Sequence, residues 1–239
     1  QIILKLRRQA LSETDEIAYI SAMEQTPILN IKNLRVAFSS NSGLNEVLHG
    51  ISYNLFPNEI LGIVGESGSG KSVASLAIMG LLPPKKSVIN SGEILFNNKN
   101  ILHYSQIELE ALRGRKIAMI FQEPMSALNP SIPCGAQVEE ILLQHTSLSK
   151  KKAKDNVMQL LNDVKIPLPD ETYKKYPHEI SGGQQQRLMI AMAIACKPDI
   201  LIADEPTTAL DVTVQKDIIA LLKNLQKEKK FYYFGLFLI

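Results

Sequence analysis

Several things are scarce in this chain, and each scarcity removes a class of protein. Only two cysteines occur, Cys134 and Cys196, with no Cys or His at ligand spacing. No disulfide framework or zinc site is therefore expected, and a reducing compartment is the default. Net charge is only +2, too small to mark a nucleic-acid or membrane-surface footprint by itself. The lysine clusters at Lys150–Lys154 and Lys227–Lys230 read as solvated helix faces. No apolar run reaches the roughly 20 residues that span a bilayer. Gln1–Ala10 carries only a brief apolar patch before its charges, so no signal peptide is expected. What the chain does have is 45% hydrophobic residues over 239 positions. That is enough for a sizeable core in one domain, or one domain plus a small lobe.

Glycine is modest too, at 13 residues, so a cluster of three within six positions is informative. Ile60–Val64 is a short apolar run that reads as a buried strand. Gly65, Glu66, Ser67, Gly68, Ser69, Gly70, Lys71 and Ser72 follow, and they fit G-x-x-x-x-G-K-[ST]. Val73–Met79 is apolar, Ala-rich and helical in pattern. Strand, glycine loop and helix come in the order that phosphate binding requires. Glycines let the backbone wrap with its N–H groups pointing at an anion. The helix start adds its unpaired N–H groups and its positive dipole end. Lys71 brings a full charge to β- and γ-phosphates, and the Ser72 hydroxyl is placed to ligate Mg²⁺. A flexible glycine turn is the bland alternative, and the strand and helix flanks argue against it.

Residues 1–26 match nothing downstream, and the folded domain is expected to start near Met23, as a unit over 27–239. Ile28–Phe38 and Val47–Phe56 read as strands, with Ser39–Asn45 a turn between them. They suggest a small antiparallel β lobe beside a parallel sheet. Gly80 and Pro83 stop the first helix, and Gly92–Phe96 is another strand. Ile117–Phe121 is a second buried strand, followed at once by Gln122. Gly135–Val164 reads as helical, and Pro167, Pro169 and Pro177 as an extended link. Val212–Lys230 is amphipathic and helical, and Phe231–Ile239 is strand-like.

Two further stretches carry chemistry. Ser181, Gly182, Gly183 and Gln184 open an apolar helix, with the serine at the N-cap position. Such an end is either an ordinary cap or a second anion site. Ile200–Ala203 is a third buried strand, ending at Asp204 and Glu205. An acidic pair there lies at the ligand edge of a parallel sheet. Asp204 can hold Mg²⁺, and Glu205 can orient or polarise an attacking water.

With these motifs in order, the chain resembles the ATP-binding subunits of ABC transporters over about residues 27–239. Gly65–Ser72 looks like Walker A, Gln122 like the Q-loop glutamine, and Ser181–Gln184 like the signature. Ile200–Glu205 is similar to Walker B, and Ala209–Asp211 to the D-loop. Phe38 falls where the family places the aromatic that stacks on adenine. The stretch Leu112–Pro130 looks like the branch that energises dipeptide and oligopeptide import, with nickel importers as close kin.

The resemblance implies an α/β P-loop NTPase of the ABC ATPase type. It would have a parallel core sheet, a small antiparallel β lobe and a helical subdomain at about 123–180. It implies ATP and Mg²⁺, with Lys71, Gln122 and Glu205 catalytic and Ser72, Gln122 and Asp204 near the metal. It implies a head-to-tail dimer of two ATPase subunits, each ATP lying between one Walker A loop and the other subunit's Ser181–Gln184. Two membrane permease subunits would be gripped by Met125–Pro133 and the helical lobe, an external binding protein would take part indirectly, and no nucleic acid would be bound. The place would be the cytoplasmic face of the membrane, peripherally. Two departures qualify this. The family's Thr-His pair would fall where the chain ends, since His49, His103, His145 and His178 are the histidines present. The branch's further C-terminal region is also missing. ATP binding with weak hydrolysis by the polypeptide as written is therefore expected, and a non-hydrolysing ATP-binding module is the alternative.

Overall fold

The structure is a computed structural model that describes residues 26–40, 43–56, 59–207, 210–229 and 232–238. The leader expected over 1–26 lies almost wholly outside the described residues. The chain divides into two units, Gln1–Glu110 with Tyr232–Ile239, and Ala111–Phe231.

The first unit holds a four-stranded antiparallel sheet. Its strands are β1 (Leu29–Ser40), β2 (Gly43–Leu55), β4 (Ser87–Phe96) and β5 (Lys99–Asn100), in the order β2-β1-β4-β5. Leu29, Ile31, Leu34 and Val36 are buried along β1. Ile31 and Leu34 break strict alternation because the register shifts between them, where Asn33 adopts φ 45°. That bulge lets both side chains face inward. Gly92 opposite has φ 104°, and a Cβ there would lie 2.6 Å from the Asn33 carbonyl oxygen, so only glycine fits. The turn expected over Ser39–Asn45 is narrower, since both strands run further into it.

Also in this unit, β3 (Ile60–Gly65) pairs in parallel with β8 (Tyr232–Leu238), from Ile60 against Tyr233 to Gly65 against Leu238. Helix α1 (Lys71–Ile78) follows β3. It stops as expected at Gly80, which has φ 61°. The Leu81 N–H donates to the Leu76 carbonyl at 2.8 Å and the Gly80 N–H to Ala77 at 3.1 Å. This is a Schellman ending. Helix α2 (Gln106–Leu112), whose last two residues belong to the second unit, was not expected.

In the second unit β6 (Ile117–Ile120) and β7 (Ile200–Asp204) pair in parallel, and every residue of both is buried. Around them run α3 (Pro124–Ala127), α4 (Cys134–His145), α5 (Lys150–Asp163), α6 (Pro169–Lys174), α7 (Gly182–Ile194) and α8 (Val212–Lys229). Two expectations are corrected here. The helix foreseen across Gly135–Val164 is two helices, because Thr146 ends α4 and the Ser149 hydroxyl caps α5. The link foreseen as extended contains α6, with Pro169 in its first turn, where the missing N–H costs no bond. Pro177–Glu179 is a 3-10 turn.

Val138, Leu142, Ala153, Val157, Leu161 and Ile190 are buried where α4, α5 and α7 meet. At Gly135, α6 presses close on α4. A Cβ there would sit 2.0 Å from the Tyr173 ring. That ring cannot easily move aside. Its hydroxyl donates to Glu139, and the Lys154 ammonium lies 5.2 Å from its centroid. Gly135→Ala should therefore overpack the lobe and cost about 2–3 kcal/mol. That corresponds to a Tm lower by about 5–10 °C in thermal unfolding. Adding Tyr173→Ala should recover part of the loss, because the two positions share one space.

Candidate functional site

The loop between β3 and α1 belongs to the first unit. Gly65 ends the strand and Gly70, at φ 90° and ψ 8°, stands at the helix N-cap. Gly70 has no room for a side chain, since a Cβ would meet Leu48 at 2.7 Å. At Gly68, φ is 79° and a Cβ would meet nothing within 4 Å, so conformation alone calls for glycine there. Glu66, Ser67 and Gly68 are exposed, while Lys71 is only 7% exposed. The Lys71 ammonium folds back under the loop. It donates to the Gly65 carbonyl at 2.7 Å, the Glu66 carbonyl at 2.8 Å and the Ser69 hydroxyl at 3.4 Å. No side chain from the N-cap bonds the first turn of α1, and no acidic residue lies in it. The loop thus concentrates main-chain amides, a helix N-terminus and one cation, which is the chemistry that holds a phosphate chain. β2 packs on the loop through Leu48, whose register partner on β1 is Val36. Half-buried Phe38 lies two residues further along β1.

The acidic pair belongs to the second unit. Because β6 and β7 are parallel and in register from Ile117 against Ile200 to Ile120 against Ala203, their carboxyl ends align. Gln122 and Glu205 therefore leave the strands side by side. The Gln122 amide donates to the Glu205 carboxylate at 2.9 Å, across 83 residues of sequence. Asp204 and Glu205 are 6% and 8% exposed. Glu205 has φ 47°, in the left-handed region that non-glycine residues rarely occupy. The turn after β7 thus holds this carboxylate in a strained conformation.

Ser181 is the N-cap of α7, and Gln184 completes a capping box. The Gln184 N–H donates to the Ser181 hydroxyl at 3.3 Å, and the Ser181 N–H to the Gln184 side chain at 2.9 Å. The helix start is thus closed by its own side chains, with Ser181 and Gly182 left exposed. A Cβ at Gly183 would lie 3.1 Å from Val214, and one at Gly182 would lie 3.9 Å from Leu210. The start of α7 therefore sits beside the start of α8. Helix α3, just after Gln122, packs on α7. Thr208 and Ala209 lie outside the described residues.

Both cysteines are free thiols. Burial pushes Cys134 up to about 11 and also raises Cys196, so neither supplies a thiolate at neutral pH.

A family described as "ABC transporter" matches residues 48–208, a stretch running from β2 through the glycine loop, Gln122, Ser181 and the acidic pair. The chain belongs to that family. As a member it is 50% identical over 201 residues to the dipeptide transport ATP-binding protein DppD of Bacillus subtilis, covering 84% of this chain and 60% of that one. It is 46% identical over 209 residues to the oligopeptide transport ATP-binding protein OppD of Escherichia coli, covering 87% of this chain and 61% of that one. The chain thus spans about 60% of the length of these relatives. In three dimensions it is similar to the ATP-binding cassette MJ0796, solved as a dimer in a post-hydrolysis state bound to ADP and Pi. The TM-score is 0.77 at 28% identity, over 87% of both chains. It is also similar to cbiO1 of Clostridium perfringens, part of the cbiONQ transporter complex. There the TM-score is 0.74 at 30% identity, over 90% of this chain and 80% of that one. The fold is that of a P-loop ABC ATPase.

What the motifs alone did not reveal is how the surrounding loops are held. Gln137, Gln185 and Gln215 each bond backbone carbonyls of the segment ahead of their own helices. Arg187 reaches the Val164 carbonyl at 2.9 Å, tying α7 to the end of α5.

Proposed function

We propose that this chain binds and hydrolyses ATP as the motor subunit of an ABC importer for dipeptides or oligopeptides. The observation that carries the ATP chemistry is the Lys71 ammonium converging with main-chain groups inside the Gly65–Ser72 loop. The peptide branch is supported by 46–50% identity to DppD and OppD across the motif series.

In this reading the loop amides and Lys71 hold the β- and γ-phosphates, and Phe38 stacks on adenine. Glu205, fixed by its strained backbone and by Gln122, orients and polarises the water that attacks the γ-phosphorus. The bond to the bridging oxygen breaks, and ADP and phosphate leave. Ser72, Gln122 and Asp204 offer only oxygen donors, the set that suits Mg²⁺. When bound, the ion would neutralise charge on the β- and γ-phosphate oxygens. The exposed start of α7, Ser181–Gln184, meets the ATP held by a second ATPase subunit. The segment Met125–Pro133 and the helical lobe over 123–180 meet two permease subunits at the cytoplasmic face of the membrane. An external binding protein delivers the peptide.

A chimera tests this. The aligned region of Bacillus subtilis DppD is replaced by this chain in cells lacking DppD, and dipeptide uptake is measured. Uptake should return with the chimera and stay absent with its Lys71→Ala variant. A folded chimera that binds ATP without restoring uptake would remove the peptide reading. Salt-sensitive RNA or DNA binding by the chain would favour a nucleic-acid role instead.

A further inference from the structure

One arrangement recurs three times in the second unit. Gln137, Gln185 and Gln215 are each the fourth residue of their helices, α4, α7 and α8. Each donates its side-chain amide to two backbone carbonyls, eight and five residues earlier. Gln137 reaches Asn129 at 3.0 Å and Ile132 at 2.8 Å. Gln185 reaches Pro177 at 2.8 Å and Ile180 at 3.3 Å. Gln215 reaches Thr207 at 2.9 Å and Leu210 at 2.9 Å. In every case the two carbonyls are the first and last of a turn that closes on itself. The Ile132 N–H donates to Asn129, the Ile180 N–H to Pro177, and the Leu210 N–H to Thr207.

The geometry has a clear physical content. A primary amide has two N–H donors, and here both are spent on one turn. Since both partners are carbonyls, the nitrogen must face them. Gln137 adds a third bond, accepting from the Asn129 N–H at 2.9 Å. Gln137 and Gln185 are 5% and 8% exposed, so their bonds are shielded from competing water. Turn and helix are thereby joined into one piece and must move together.

The three clasped turns share a second property. Asn129–Ile132 lies in the segment assigned to the permease. Pro177–Ile180 runs directly into Ser181–Gln184, and Leu210, which ends the turn from Thr207, lies beside Gly182, so both turns flank the helix start proposed to meet the second ATPase. We infer that Gln137, Gln185 and Gln215 are positioning residues that preshape the three segments through which this chain engages other subunits. This rests on the assembly proposed for the chain. A preshaped turn is not ordered at the expense of binding, so each clasp strengthens its own contact and leaves the others alone.

The test uses the full 239-residue chain carrying Glu205→Gln. Each glutamine is changed singly to methionine, which keeps the length and removes the donors. Hydrogen exchange, ATP affinity and ATP-driven dimerisation are measured. Exchange should rise about tenfold in the clasped turn alone, while ATP affinity stays within about twofold. Gln185→Met and Gln215→Met should need about tenfold more protein to dimerise with ATP, while Gln137→Met dimerises as its parent does. Gln215 is half-buried, so Gln215→Lys, whose ammonium can donate to both carbonyls, should restore dimerisation. Faster exchange throughout the chain, or unchanged dimerisation in both variants, overturns the inference. Failure of the Glu205→Gln parent to dimerise strikes the proposed assembly. The exchange arm then still judges the clasps: a local rise supports them, and no rise overturns them.

Discussion

Replacing Lys71 by alanine is expected to weaken ATP binding by about a hundredfold or more, roughly 3 kcal/mol. Two losses combine. The variant removes a cation whose charge is directed at phosphate in a site of low exposure, where charge-assisted bonds are about twice as strong as neutral ones. It also removes the group that ties the Gly65 and Glu66 carbonyls together from beneath, so the loop is no longer held open. Lys71→Arg should rescue little. A planar guanidinium cannot replace a compact ammonium enclosed by two carbonyls and a hydroxyl, and the side chain is nearly buried. Calorimetric titration with Mg-ATP measures both variants. Thermal unfolding shows whether α1 is intact, as its Schellman ending and buried Ala74, Ala77 and Ile78 predict. Unchanged affinity in a folded Lys71→Ala chain would mean that phosphate binds elsewhere.

Glu205→Gln is expected to act on the other half of the cycle. Phosphate release in single-turnover conditions should fall by about 10²–10³-fold, with ATP affinity preserved. The substitution keeps size and shape and removes only the charge that polarises water. Gln122 can rotate its amide and still bond the new side chain, so the turn should keep its form. Nucleotide should then accumulate uncleaved, and any ATP-bound dimer should persist. Gln122→Ala provides the contrast. It frees the carboxylate from its partner at 2.9 Å without removing it. Its effect should be smaller than that of Glu205→Gln. Undiminished hydrolysis in Glu205→Gln would move the catalytic role to another group.

Much of this could be read from the residues because the informative patterns are local. The glycine loop between a buried strand and a helix, the serine at the start of α7 and the acidic pair behind an apolar run are each confined to a few consecutive positions. Buried parallel strands such as β6 and β7 read as unbroken apolar runs, since both faces are covered. Other features escaped for definite reasons. The α4–α5 break is made by two capping residues, Thr146 and Ser149, inside a stretch whose apolar spacing continues across it. Helix α6 starts at a proline, which reads as a breaker unless it falls in the first turn. Helix α2 did carry a signal, Ser105-x-x-Glu108, and the structure shows both bonds of that capping box. The Gln122–Glu205 contact joins distant positions, and only strand pairing brings them together. The glutamine clasps end on backbone carbonyls, which every residue carries, so no pairing of side-chain types marks them in the sequence.

Those clasps carry a consequence for protein engineering. Glutamine has good helix propensity, so placing one early in a helix is nearly neutral for the helix itself. A builder of artificial proteins who needs a fixed bend ahead of a helix could graft one residue where a disulfide or a rebuilt backbone is the usual recourse. This chain supplies three natural templates, each with a different sequence in the bend.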